Sequence, residues 1–300
     1  MELLIPPGHD LPAWAEPLEY GRPVIVEQLP GDAYHGARAL VSKSALDVFA
    51  RSPAHYLHYL TTGIDDEEQE EAEALVIGTA FHCLVLEPDV FARSYVQLPD
   101  FGNMQSSKNR ALRDNWKAER PGITALKPEF WQMIHGMRES VMRHRRIRRI
   151  LETGRPELTI AAIDPHTGLP RKIRLDYASE LEGVGLDLKS ARDGRFDRWK
   201  VEAGRRRYEV QDAYYSDTSQ LAGLDLPIMS FGVVEKEPPY VCGLYTLGST
   251  SRLSGELKYR AELDAIAACC DSGEFPGYGG GDAMEIELPG YFTANTAGVT

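Results

Sequence analysis

The chain has little cysteine, a deficit of basic charge and no long apolar run. Its 300 residues include four cysteines, Cys83, Cys242, Cys269 and Cys270, scattered apart from the vicinal pair and without a CxxC spacing. That argues against a disulfide framework and against a cysteine-held zinc. No stretch approaches the roughly 18 apolar residues of a membrane helix, and Met1-Glu2-Leu3-Leu4-Ile5 lacks a basic leader. A soluble protein of the reducing cytoplasm, with no membrane partner, is the expectation. Lysine and arginine number 33 against 45 aspartate and glutamate, a net charge of −12, which argues against coating nucleic acid by bulk charge. It leaves room for an enzyme whose acids hold metal and whose bases are gathered locally. Arg143, Arg145, Arg146, Arg148 and Arg149 form one such group, and Arg205, Arg206 and Arg207 another. With 43% hydrophobic residues the chain can bury a full core. No repeat is present.

The most informative stretch is Arg171-Lys172-Ile173-Arg174-Leu175-Asp176, followed after Ser179-Glu180-Leu181-Glu182-Gly183 by Gly185-Leu186-Asp187-Leu188-Lys189. It reads as two strands. In the second, Leu186 and Leu188 share one face, so Asp187 and Lys189 share the other. Asp176, at the end of the first strand, reaches the same point if the strands pair. Two carboxylates and a lysine at one point fit a hard-cation site. The acids would hold Mg²⁺ or Mn²⁺ through oxygen, and the metal would activate water and neutralise a leaving phosphate. Taken singly, Asp-Leu-Lys on a strand is more often a solvated face with a cross-strand ion pair.

Residues 1–40, rich in proline and glycine, predict an N-terminal arm with one or two edge strands near Pro23-Val24-Ile25-Val26; residues 41–300 are expected as one domain. Ser42 caps a helix with the stripe Ala45, Val48, Phe49, and Pro53 opens another after Ser52. Ser42, Ser44 and Ser52 are candidates for donating to a DNA phosphate from helix N-termini, with capping the commoner explanation. The acidic run Asp65-Asp66-Glu67-Glu68 reads as a solvated loop or a first helical turn. Residues 72–86 predict an apolar and therefore buried helix. On it Gly78 and His82 share a face. Gly78 would let another element approach closely, and His82 is either a core histidine or a neutral metal ligand.

Residues 98–122 read as a loop with a short helix, and 127–151 as one long helix whose terminal arginines suit its dipole as well as a phosphate. A hairpin follows, with strand 154–163 and turn 164–170 leading to Asp176, so three sequential strands make an antiparallel core. Glu157, at its outset, is a candidate additional acid. Helices are expected over 193–203, 207–224 and 254–270, with a second hairpin over 226–247 about Glu237-Pro238-Pro239. Gln211 and Tyr215 lie four apart on one helix face, beside Tyr208, just after the basic pair Arg205 and Arg206.

Together these pieces resemble the PD-(D/E)xK nuclease superfamily and, within it, the RecE-like exonucleases of the exonuclease VIII type, often phage- or prophage-encoded. The likeness rests on Ser42-Lys43-Ser44 with Ser52-Pro53-Ala54-His55, and on Gly78-Thr79-Ala80-Phe81-His82-Cys83-Leu84-Val85-Leu86-Glu87-Pro88. Arg174-Leu175-Asp176 and Asp187-Leu188-Lys189-Ser190-Ala191 resemble the D…(D/E)xK core, and Gln211-Asp212-Ala213-Tyr214-Tyr215 the QxxxY helix. The resemblance implies an α/β (α+β) restriction-endonuclease-like core, a mixed central sheet flanked by helices. It implies a Mg²⁺-dependent exonuclease that degrades double-stranded DNA from 5′ ends and leaves 3′ overhangs for recombination by strand annealing. Under it His82, Asp176, Asp187 and the Leu188 carbonyl bind one or two divalent cations. Lys189, its pKa lowered by those cations, orients and helps deprotonate water or stabilises the pentavalent phosphorane. Gln211 and Tyr215 position the scissile strand or Lys189.

A ring-like homo-oligomer and a single-strand annealing protein as partner are implied as well. The iron–sulfur cluster of some relatives is not expected, because these cysteines do not match its pattern. Some RecE proteins carry a long N-terminal region; here the nuclease domain nearly alone is expected. The alternatives are an endonuclease of restriction or repair type, and a DNA-end-binding protein that kept the fold and lost catalysis.

Overall fold

The structure is a computed structural model and describes residues 3–63, 72–281 and 283–289; the acidic run at 65–68 lies outside them. In chain order its first half holds β1 (Val24–Glu27), α1 (Gly31–Gly36), α2 (Lys43–Arg51), α3 (Pro53–Thr62), α4 (Ala72–Leu86), α5 (Pro88–Ser94), β2 (Tyr95–Gln97), α6 (Ser107–Ala118), β3 (Thr124–Leu126), α7 (Pro128–Arg143) and α8 (Arg145–Thr153). The second half holds β4 (Arg155–Ile163), β5 (Pro170–Ser179), β6 (Val184–Ala191), α9 (Phe196–Arg205), α10 (Tyr208–Leu221), β7 (Ile228–Glu235), β8 (Cys242–Thr246) and α11 (Ser249–Ser272).

The expected mixed sheet is present as six strands in the order β1-β4-β5-β6-β7-β8. Neighbours are antiparallel except β6 and β7, which run parallel and are joined through α9 and α10. A parallel pair needs such a helical crossover, whereas the tight turns at 164–169 and 180–183 suffice for the antiparallel ones. One face of the sheet gives Leu158, Ile160, Ile173, Leu175 and Met229 to a core shared with α2, α3, α10 and α11. The other gives Val184, Leu186, Leu188 and Val234 to a core under α4, α7 and α8. Leu186 and Leu188 therefore face one helical layer and Asp187 and Lys189 the other, as their alternation dictates. At the β1 edge, Val24 and Ala161 pack with Ala15, Leu18 and Leu40.

Three expectations change. The long helix over 127–151 is two: His144 adopts an extended conformation and its Nδ1 accepts from Ile147 N at 3.4 Å, so α8 starts afresh. The stripe Ile134, Met137, Val141 continues into Ile147 and Ile150 across that break, which hides it from periodicity. Inside 98–122, α6 is longer than expected, and the short parallel pair β2–β3 brackets it. Strand β5 runs on to Ser179, so Asp176 lies within it, not at its end.

The α10–α11 contact is close enough to need a glycine. A Cβ on Gly255 would stand 1.9 Å from the carbonyl oxygen of Glu209 on α10. Gly255→Ala should therefore destabilise the fold by about 1–3 kcal/mol through forced helix separation. Urea unfolding is the check, and an unchanged midpoint would refute it.

Candidate active site

The site is built where β5 and β6 part. They pair at Tyr177–Leu186, Ala178–Gly185 and Ser179–Val184, and then the ladder stops. The next opposed residues are Asp176 and Asp187. Instead of a ladder bond, Asp176 Oδ2 accepts from the backbone N–H of Leu188 at 2.8 Å. Each strand stays paired on its far side, β5 to β4 and β6 to β7. The split is thus held rigidly open, and both helical layers can reach into it.

From one layer comes His82 on α4, its Nδ1 3.6 Å from Asp176 Oδ2, too long for a hydrogen bond but close for charge. From the other comes Gln211 on α10, whose Nε2 donates to Asp187 Oδ1 at 2.6 Å. Lys189 Nζ lies 2.7 Å from Asp187 Oδ2 and 5.0 Å from the Tyr208 ring centroid. Tyr215, one turn beyond Gln211, sits against the Arg174 backbone; burial, then the fields of Tyr34, Asp187 and Asp176, push its phenol well up. Arg207 anchors the start of α10. It reaches Asp47 Oδ1 at 3.0 Å and Glu262 with its other nitrogen, so Gln211 is fixed by contacts to α2 and α11.

Beside this group opens a cleft of about 1030 Å³, lined by Gly78, His82, Glu157, Leu188, Lys189 and Tyr208. Arg192, Arg198, Arg205, Arg206 and Lys236 line it too, which gives local positive charge to an acidic protein. Glu157 lies opposite Asp176 on β4, in a left-handed backbone conformation (φ 48°) that turns it off the ladder. Such a conformation is uncommon for a non-glycine residue. Burial, then Asp176, pushes its carboxyl up to about 7, and Arg174 approaches at 3.7 Å. Burial likewise raises Asp176, with Asp187 adding to it and His82 opposing.

Several sequence expectations need correction. His82 is not buried. Only one side of α4, with Ala80, Phe81 and Leu84, packs in the core, while the imidazole keeps 32% of its side-chain surface at the cleft. A Cβ at Gly78 would meet nothing within 4 Å, so this glycine widens the cleft instead of admitting another element. For Lys189 the surrounding protein groups act in the opposite sense to the bound cations of the sequence expectation. Burial pulls it down, but Asp187, Tyr208 and Asp176 outweigh burial and hold the ammonium above its ordinary value. Ser42 and Ser52 are buried N-caps, accepting from Ala45 N at 3.2 Å and His55 N at 3.3 Å, and Ser44 is exposed beside them; none lines the cleft. The terminal arginines of the 127–151 segment pair locally, Arg149 with Glu182 at 3.0 Å and Arg148 with Glu152 at 3.6 Å. Arg206 lines the cleft and pairs with Glu202 at 2.9 Å. The part of Tyr208 beneath Lys189 was legible only as an aromatic one turn before Gln211.

A family model described as a PDDEXK-like domain of unknown function, DUF3799, matches residues 42–287. The chain belongs to this family. It is therefore a member of the PD-(D/E)xK nuclease superfamily, and the sheet with helices on both faces is that fold. A crystal structure of a "Putative exonuclease" from Eubacterium rectale is similar over 91% of this chain and 100% of that one, at a TM-score of 0.51 and 14% identity, which speaks for the fold. No curated protein matches the chain. Among the described residues, no helix is long and apolar enough to cross a membrane.

PD-(D/E)xK nucleases as a class use divalent cations, and the donor set here fits one. Two carboxylates and the Leu188 carbonyl are hard oxygen ligands, and the His82 imidazole adds a borderline nitrogen. Asp187 Oδ2 is buried and has only the off-line charge of Lys189, with no well-directed hydrogen bond. Among the described residues, no three His, Cys, Asp or Glu are already drawn up as a coordination group. Lys189 and the Leu188 N–H instead neutralise the two aspartates.

Proposed function

We propose that this DUF3799 protein is a Mg²⁺- or Mn²⁺-dependent exonuclease that degrades double-stranded DNA from 5′ ends and leaves 3′ overhangs. The observation that carries the reading is the gathering of His82, Asp176, Asp187, Lys189 and Gln211 at the held-open split of β5 and β6, on a cleft lined by arginines. His82, Asp176, Asp187 and the Leu188 carbonyl would hold the cation. Bound there, it would acidify a water and neutralise phosphate charge. Gln211 holds one oxygen of Asp187 and the Leu188 N–H one oxygen of Asp176, which limits how far either acid moves to take the ion. Lys189 orients the attacking water and places positive charge on the phosphate oxygens. Glu157 adds a further acid opposite Asp176. Tyr215 steadies the α10 face, and Arg205 and Arg206 bind phosphates flanking the cut. The remaining parts of the proposal are a ring-like homo-oligomer, a single-strand annealing partner, and work in the cytoplasm of a bacterial host of a phage or prophage.

The test is digestion of linear duplex labelled at one end in turn, and of covalently closed circles, in Mg²⁺ and in EDTA. The expected result is loss of 5′ label first, intact circles and no reaction in EDTA. Cut circles would make it an endonuclease; duplex untouched in Mg²⁺ would leave a binding protein only.

A further inference from the structure

Helix α9 has a second cavity on its other side, of about 350 Å³. The helix is the partition. Arg198, Val201, Glu202 and Arg205 face the catalytic cleft, while Phe196, Lys200 and Ala203 face the smaller cavity. Trp199 lines both, so one indole separates them.

The wall on this side is aromatic and continuous with the site. Phe231 and Tyr208 stack at 5.2 Å between centroids, Tyr208 and Trp199 lie at 5.5 Å, and Tyr245 lies 6.3 Å from Trp199 and 6.3 Å from Phe196. The inner end of this array is under the Lys189 ammonium. At the outer end Phe196 keeps 68% of its surface exposed. Tyr245 is fixed by donating to the Gly194 carbonyl at 2.6 Å, and Trp199 is buried, so the wall is rigid before any ligand arrives. The facing wall is polar. Thr250 and Ser254 line it, with Glu209 accepting from Lys258 at 2.6 Å. At the rim, Lys200 Nζ stands 5.9 Å from the Phe196 ring centroid.

One exposed π-face backed by further rings, hydrogen-bonding groups lining the same cavity and a cation beside the exposed ring select a planar aromatic ligand that carries an anion. A nucleobase with its phosphate has that chemistry, and base–aromatic stacking tolerates any of the four bases. We infer that this cavity receives an unstacked nucleobase of a single DNA strand whose neighbouring phosphate lies in the catalytic cleft. The base stacks on Phe196 with Tyr245 and Trp199 behind it, and Lys200 meets that nucleotide's own phosphate at the rim of the smaller cavity. The inference rests on the nuclease reading and adds to it a single-strand subsite outside the Asp–Lys group.

The experiment measures binding of a labelled duplex bearing a short single-stranded overhang, in EDTA, to the full chain and to Phe196→Ala, Phe196→Leu and Phe196→Trp. Phe196 is exposed, so folding should hold in all three, and thermal melting verifies it. Alanine and leucine should weaken overhang binding by roughly tenfold, and tryptophan should keep it, because a π-face and not apolar area is required. Blunt duplex should bind all four alike. A single abasic position walked along the overhang should lower wild-type affinity at one place, and at that place F196A should be indifferent. The inference is overturned if F196A binds the overhang as wild type does, or if the abasic loss and the F196A loss simply add. It is overturned too if the variant alters only the sedimentation of the oligomer, which would make the patch a protein interface. A wild type that binds and cuts DNA yet shows no sensitive position sinks this inference alone. One that neither binds nor cuts sinks the nuclease reading with it.

Discussion

Lys189→Ala should slow DNA cleavage by roughly 10³-fold, the scale for losing one positioned donor or proton-handling group, while duplex affinity stays within about threefold. The two effects separate because Lys189 is, among the described residues, the one cation beside Asp187, whereas affinity is spread over Arg192, Arg198, Arg205, Arg206 and Lys236 as well. The variant will not be structurally silent. Asp187 has two partners, Gln211 and Lys189, and removing the second leaves a buried carboxylate half satisfied. A modest loss of stability, about 1–2 kcal/mol, follows. Melting with and without Mn²⁺ distinguishes that from chemistry. Lys189 would compete with a bound cation for Asp187 Oδ2, so under the proposed function the melting rise on adding Mn²⁺ should persist or grow in the variant. Lys189→Arg should not rescue cleavage: a guanidinium can still lie over Tyr208 and pair with Asp187, but it is larger, delocalises its charge and cannot give up a proton, so it does not replace a compact ammonium at the attacking water. A K189A protein that digests duplex at the wild-type rate would remove Lys189 from the mechanism.

Asp164→Ala should cost about 3–5 kcal/mol of stability, the range for breaking a buried ion pair from one side. Asp164 and Arg171 are both fully buried. One Asp164 oxygen accepts from His166 N, Thr167 N and Thr167 Oγ1, each at 3.1 Å, and so shapes the β4–β5 turn. The other accepts from Arg171 at 3.1 Å and Arg260 at 2.6 Å. Arg171 also reaches Asp217 at 2.8 Å and Thr218 at 2.7 Å and lies over the rings of Tyr214 and Tyr259. The network therefore ties β5 to α10 and α11, and α10 carries Gln211 and Tyr215.

At roughly 2–4 °C per kcal/mol for a chain of this order of size, the melting point should fall by about 10 °C. The pH dependence has a definite sign. Burial opposes the charged form of Asp164, but the Thr167 N–H, Arg171 and Arg260 hold its pKa below the ordinary 3.8. Its contribution is then complete above that unfolded value and is lost as pH falls through the lower folded one. The D164A chain should show a flatter acid limb in denaturation midpoint against pH. A midpoint within about 1 kcal/mol of wild type would show that the network contributes little.

Much of the site was legible because its residues sit on regular elements. The alternation Leu186-Asp187-Leu188-Lys189 put acid and ammonium on one face whatever the strand packed against, and the i, i+4 spacing put Gln211 and Tyr215 on one side of a helix. Glu157 is not announced in this way, since nothing in its neighbours signals the left-handed backbone that turns it off the ladder at the cleft. His82 was read as buried because hydrophobicity along α4 reports apolarity and not which side stays open; Leu75 at 60% exposure lies on that open side. The pairing of Arg171 with Asp164, 7 residues earlier, and Asp217, 46 residues later, is a long-range event that no local pattern encodes.

The sequence by itself determined the strands of the main sheet, most of the helices and the chemical inventory of the site, because backbone periodicity and side-chain type are local properties. Tertiary structure alone decided that β5 and β6 stop pairing at Tyr177–Leu186, that α4 and α10 meet in the resulting gap from opposite faces, and that Lys189 pairs with Asp187 over the Tyr208 ring. Those are matters of which surfaces are covered and which charges become neighbours, and both are set only when distant segments of the chain pack together.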